Sequence, residues 1–80
     1  MAKTIRPAPV NKVYFGIDVG GTKILAVLST PEGQIVARKR VATPRTGQAA
    51  DTVAAIETLM EDLLEESRTT PRALRGVGLA

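Results

Sequence analysis

The chain contains no cysteine. Neither disulfides nor thiolate-bound zinc can staple it, and such a composition fits a reducing compartment. Aromatic residues are almost missing, with one Tyr and one Phe among 80 residues, so any core must be built from Val, Ile, Leu and Ala. No stretch is long and apolar enough to span a bilayer. The segment Met1–Pro9 lacks the apolar centre of a signal peptide. The expected location is the cytoplasm, with no membrane partner. There is no internal repeat and no low-complexity tract. A chain of this length makes one small domain at most, with a modest core and marginal stability.

The net charge of +3 is unevenly spread. Residues 1–45 carry eight Lys/Arg and two Asp/Glu, whereas residues 46–80 carry three and six. A basic half can attract nucleic acid. Here its charges are divided among a tail, a loop and one strand, and aromatics for base stacking are scarce. The balance goes against nucleic acid as a partner.

What the sequence does have is Phe15-Gly16-Ile17-Asp18-Val19-Gly20-Gly21-Thr22-Lys23-Ile24-Leu25-Ala26-Val27-Leu28. Two apolar runs flank an acid, two glycines, a hydroxyl and a cation. Adjacent glycines let a backbone turn tightly and approach a ligand without a Cβ in the way. Their N–H groups can converge on an anion. Thr22 adds a hydroxyl donor and Lys23 a positive charge. Asp18 can hold Mg²⁺ through its waters, since Mg²⁺ prefers oxygen ligands and dehydrates reluctantly. Gly16 and Gly21 have Walker A spacing, but that loop needs Lys before Ser/Thr, and here Thr22 precedes Lys23. No GxGxxG is present, and the residues after Lys23 suit a strand rather than a helix. An ordinary Gly-Gly hairpin turn is the plain alternative. The full set Asp-x-Gly-Gly-Thr-Lys favours a phosphate loop joining two strands.

Alternation predicts a first strand over Val13–Val19, with Phe15, Ile17 and Val19 on one face and Tyr14, Gly16 and Asp18 on the other. A second strand, Lys23–Ser29, is apolar on both faces and is expected to be covered on both. Thr30-Pro31-Glu32-Gly33 has turn chemistry and predicts a hairpin into a third strand, Gln34–Val41. Its Arg38-Lys39-Arg40 triplet suits an edge strand protected against pairing with other chains. After a loop at Pro44 and Gly47, a helix is predicted over Gln48–Ser67. Ala49, Val53, Ile56, Met60, Leu63 and Ser67 form its apolar stripe, widened by Leu59 and Leu64. Thr46 or Gly47 is the expected cap. Glu57, Glu61, Asp62, Glu65 and Glu66 are expected on a solvated face, and acids in the last turn oppose the helix dipole. Arg75–Ala80 is expected to return as a strand parallel to an earlier one through a right-handed crossover.

This order, together with Gly16–Lys23, resembles the start of ROK-family proteins, which are bacterial sugar kinases, including glucokinases, and related sugar-responsive repressors. The likeness covers nearly all of residues 13–80 and is most specific at Gly16–Lys23. The Pro31–Ile35 hairpin, Thr43-Pro44 and Gly76-Val77-Gly78 agree in position. The resemblance implies an α/β architecture: part of the N-terminal lobe of an actin-like (ribonuclease-H-like) ATPase. That lobe has a three-stranded antiparallel meander, a crossover helix and a parallel fourth strand. Residues 1–12 are then a disordered tail, and 13–80 a partial lobe truncated at its C-terminal side.

By the same resemblance, Gly16, Asp18, Gly20, Gly21, Thr22 and Lys23 bind the phosphates of ATP. Asp18 orients the Mg²⁺ shell, Thr22 donates to a phosphate oxygen and Lys23 offsets developing charge. A hexose is the expected second partner in a full-length parent, and a homo-oligomer of that parent is left open. The family's catalytic aspartate, in an Asn-Asp-x-Asn motif, lies downstream, as do its sugar-binding residues, adenosine-binding motif and Cys/His zinc site. No catalytic residue is therefore assigned here, and the 80 residues alone are expected to fold poorly and lack kinase activity. A repressor of the same family is the alternative. The twelve residues before the first strand are too few for a helix-turn-helix. A free-standing phosphate-binding module is a third reading, and the two-sided apolar second strand counts against it. Other actin-like ATPases share an Asp-x-Gly-Gly/Ser-Thr loop, but Lys23 followed by Ile24-Leu25-Ala26 fits the ROK pattern better.

Overall fold

The computed structural model describes residues 3–4 and 12–80. Five strands form one sheet with a single long helix on one face. In chain order they are β1 (Lys3–Thr4), β2 (Val13–Val19), β3 (Lys23–Ser29), β4 (Ile35–Ala42), helix α1 (Ala49–Glu66), a short 3₁₀ turn (Pro71–Ala73) and β5 (Leu74–Leu79). The spatial order is β1-β4-β3-β2-β5. Strands β2, β3 and β4 make the antiparallel meander, and β5 pairs parallel to β2. The parallel pair requires a long crossover, and α1 supplies it. The expected tail over residues 1–12 falls mainly outside the described residues; within it, Lys3–Thr4 pairs with Arg38 and Ala37 of β4.

Alternation decides which side chains meet the helix. Val13, Phe15 and Ile17 of β2 and Ile24, Ala26 and Leu28 of β3 are all buried, as are Leu59, Leu63 and Leu64 of α1. Each large side chain buried in this way contributes about 1.5–3 kcal/mol. Between Leu28 and Ser29 the β3–β4 register shifts, so Ala37 faces Leu28 and Ile35 faces Ser29. Val36 is the extra residue of this irregularity, which is why Val36 and Ala37 are both fully buried although adjacent. The expected β3–β4 hairpin forms as predicted. Gly33 has a φ of +86°, and its N–H donates to the Thr30 carbonyl at 2.9 Å.

Two expectations need correction. Leu25 and Val27, on the other face of β3, are only half-buried. One helix covers one face of a sheet, and no described element lies across the opposite one. The basic triplet does not lie on an edge strand either: β4 sits between β1 and β3, with Arg38 opposite Lys3. Alternation turns Lys39 toward α1, where its ammonium donates to Glu66 Oε2 at 2.7 Å and lies 3.6 Å from Asp62 Oδ2. Asp62 and Glu66 thus serve the strand rather than a purely solvated helix face, and Lys39 offsets part of the acid load in the last turn.

The helix stripe is buried at its C-terminal half, while Val53 remains 54 % exposed. Gln48 is the N-cap residue and makes no side-chain cap. Thr46 acts one step earlier: its hydroxyl donates to Asp51 Oδ2 at 2.6 Å and accepts the Gln48 N–H at 3.1 Å. The helix ends in a Schellman arrangement. Thr69 N–H donates to the Leu64 carbonyl at 2.8 Å and Arg68 N–H to the Glu65 carbonyl at 3.1 Å. Arg68 occupies the left-handed position usually held by glycine, with φ +56°.

Candidate functional site

The turn joining β2 to β3 lies at one end of the sheet, where the carboxyl ends of the parallel strands β2 and β5 also meet. Val19 N–H donates to the Ala80 carbonyl at 3.1 Å, and Ala80 N–H to the Ile17 carbonyl at 2.8 Å. In parallel α/β sheets this end is where ligands bind. The turn is closed by Gly20 N–H donating to the Lys23 carbonyl at 2.9 Å. Neither Gly20 nor Gly21 has a positive φ, so the pair is not a primed hairpin turn. The two glycines do different things. A Cβ on Gly20 would sit 3.0 Å from the Lys23 carbonyl oxygen, so a side chain there requires the closed backbone to give by a few tenths of an ångström. A Cβ on Gly21 would meet nothing within 4 Å; that space is open to an approaching ligand.

The N–H groups of Gly21 and Thr22 donate to no protein group among the described residues, and both residues are exposed. Asp18 and Lys23 are exposed and make no ion pair among the described residues; the ion pairs found there belong to Lys39. Strand alternation and register put Asp18 opposite Leu25, and therefore on the same face as Lys23, Leu25 and Val27. This is the face away from α1. Gly16 lies on it two residues before Asp18, beside Gly78 of β5. With no side chain at either position, the sheet surface dips into an open hollow of about 350 Å³, bordered by Asp18, Leu25 and Val27. Gly16 is thus part of a floor beside the turn rather than of the turn itself. The six residues singled out in the sequence occupy one end and one face of the sheet.

Thr43 went unassigned in the sequence reading. It follows β4, yet its hydroxyl donates to the Gly20 carbonyl at 2.8 Å and its N–H to the Thr22 carbonyl at 3.0 Å. The available signal was Pro44, because a residue before proline is held extended. That restriction carries Thr43 onward in the direction of β4, to the side of the turn.

The donor set suits phosphate with magnesium. Asp18 is a lone hard carboxylate, and no group of three or more His, Cys, Asp or Glu is gathered among the described residues. A site that holds its cation through water and phosphate oxygens needs no more than one carboxylate.

The architecture is that of the opening part of an actin-like ATPase lobe. A solved structure with the same arrangement is a ROK family glucokinase from Streptomyces griseus, in complex with glucose and AMPPNP. It superposes with a TM-score of 0.68 at 32% identity, over 85% of this chain and 20% of that one. A sequence profile of the ROK family matches residues 14–80, and the chain belongs to this family. N-acetylmannosamine kinases from Yersinia pseudotuberculosis serotype O:1b and Yersinia pestis bv. Antiqua are 48% identical over 44 residues, which is 55% of this chain and 15% of each kinase. The chain therefore spans a fifth or less of the length of these relatives. No described helix is long and apolar enough to cross a membrane.

Proposed function

We propose that this chain is the phosphate-binding segment of a ROK-type sugar kinase that moves the γ-phosphoryl group of ATP to a hexose. The observation that carries the reading is the turn Gly20–Lys23, which leaves two adjacent N–H groups without acceptors among the described residues, beside a carboxylate and an ammonium that make no ion pair among them. Gly21 and Thr22 N–H groups bind phosphate oxygens, and the Thr22 hydroxyl adds a donor. Lys23 places its charge where negative charge accumulates during transfer. Asp18 holds the hydration shell of Mg²⁺, and Gly16 keeps the floor beside it clear. When bound, Mg²⁺ supplies neutralisation of phosphate charge. Phosphoryl transfer works by positioning and electrostatic stabilisation from several groups at once. The segment supplies one part of that set and no base for the sugar hydroxyl. The AMPPNP and glucose bound by the related glucokinase support this choice of ligands.

The test is a titration of the isotope-labelled protein with AMPPNP, with and without Mg²⁺, followed by amide NMR. The amides of Gly20–Lys23 are expected to shift, and Asp18→Asn is expected to remove the Mg²⁺ dependence while leaving thermal stability unchanged. A folded protein whose turn amides do not respond would refute the reading. Sugar-dependent ATP turnover by the 80-residue chain alone would refute its assignment as a partial site.

A further inference from the structure

We infer that Thr43 is a positioning residue for the turn, aiming the Gly21 N–H at the ligand side; the inference rests on the phosphate-binding reading above. Thr43 comes from the far end of the β3–β4 hairpin, 23 residues from Gly20. It grips both halves of the turn at once, the Gly20 carbonyl through its hydroxyl at 2.8 Å and the Thr22 carbonyl through its N–H at 3.0 Å. In a trans peptide the carbonyl and the following N–H point in opposite directions. Holding the Gly20 carbonyl toward Thr43 therefore turns the Gly21 N–H away from it. The bond from Thr43 N–H to the Thr22 carbonyl fastens the other half of the turn to the same residue. The turn's own closure, from Gly20 N–H to the Lys23 carbonyl, engages neither the Gly20 nor the Thr22 carbonyl. Thr43 is what orients them.

Two local features make Thr43 suited to this. Pro44 restricts it to extended backbone, which points its N–H along the direction the β4 ladder already uses. Branching at Cβ limits the hydroxyl to few rotamers. Thr43 itself is half-buried, while the Gly20 and Thr22 backbone it holds is exposed. Preorganised donors need no rearrangement when an anion arrives, and that lowers the cost of binding.

The experiment compares wild type, Thr43→Val and Thr43→Ser by NMR without ligand and by titration with Mg²⁺-AMPPNP. Valine keeps the shape and the backbone bond but loses the hydroxyl. The hydroxyl bonds the Gly20 carbonyl, so the direct readouts are the Gly20 carbonyl-carbon resonance and the dipolar coupling of the Gly21 N–H, which shares that peptide plane. Both are expected to change in Thr43→Val, and its affinity for Mg²⁺-AMPPNP is expected to fall about fivefold, the fold-change that one hydrogen bond of ordinary net strength corresponds to. Thr43→Ser is expected to restore both readouts and to bring the affinity to within twofold of wild type, a rescue that a packing role for the methyl group would not produce. An unchanged Gly20 carbonyl resonance and Gly21 coupling in Thr43→Val would overturn the inference whether or not the ligand binds. A change in both with unchanged affinity would also overturn it. If the wild-type turn ignores Mg²⁺-AMPPNP altogether, the phosphate reading fails and this inference with it, whereas the two NMR readouts still report the hydrogen bond by itself.

Discussion

Replacing Gly20 and Gly21 one at a time by alanine separates folding from binding within two adjacent residues. At Gly20 the new Cβ would come within 3.0 Å of the Lys23 carbonyl oxygen, a backbone atom of the same closed turn. Relief requires that backbone to give by a few tenths of an ångström, and forced contacts of this kind cost about 1–3 kcal/mol. For a domain of this size each kcal/mol shifts the melting temperature by roughly 4–8 °C. Gly20→Ala is therefore expected to melt at least several degrees lower. At Gly21 the new methyl group meets nothing and the φ is not positive. Gly21→Ala is expected to keep its stability or to gain about 0.4–1 kcal/mol, because alanine narrows the unfolded ensemble. Its methyl group, however, stands where a phosphate would approach the exposed N–H groups. Losing one hydrogen bond to a charged group corresponds to about 1.5–3 kcal/mol, hence a tenfold or greater loss of Mg²⁺-AMPPNP affinity. Thermal melts and calorimetric titration of the two variants measure these effects side by side. Wild-type affinity in a stable Gly21→Ala protein would refute close backbone approach at this turn. A Gly20→Ala protein as stable as wild type would refute the reason given for glycine at that position.

The remaining predictions concern what holds the turn in place. Leu63→Ala removes a fully buried side chain between α1 and the sheet and is expected to cost about 2–5 kcal/mol, measured by chemical denaturation. Lys39 has its pKa raised, first by its hydrogen bond to Glu66 and then, against some opposing desolvation, by the charges of Glu66 and Asp62. A raised folded-state pKa means the pair's contribution is complete below the lysine's ordinary value of 10.5 and fades as pH climbs through the higher folded-state value. Denaturation midpoints of wild type and Lys39→Met are expected to differ at neutral pH and to converge in strong alkali, and a constant difference would count against the ion pair. Arg68→Gly relieves a non-glycine residue at φ +56° in the helix C-terminal motif and is expected to stabilise the protein by about 1 kcal/mol, seen as a higher melting temperature.

Much of this structure was written locally. Period-two alternation located β2 and β3 to the residue, and a four- and three-residue spacing located α1 within one residue at each end. The chemistry of Asp18-x-Gly20-Gly21-Thr22-Lys23 marked the candidate site for the same reason: residue types and their order are local, and they suffice to propose phosphate as the ligand. Local pattern has less to say about partners distant in sequence. Nothing in Arg38-Lys39-Arg40 tells which lysine or arginine will face the helix, since that depends on the β3–β4 register and on the irregularity at Val36. The same register carries Thr43 to the Gly20–Thr22 backbone. The difference between Gly20, where closure crowds a Cβ, and Gly21, which closure leaves open, appears only once the Lys23 carbonyl is in place. The sequence by itself determined the elements and the chemistry of the turn, because both depend on neighbours along the chain. Tertiary structure alone decided what the turn is fastened to, because hydrogen bonds across the sheet depend on register.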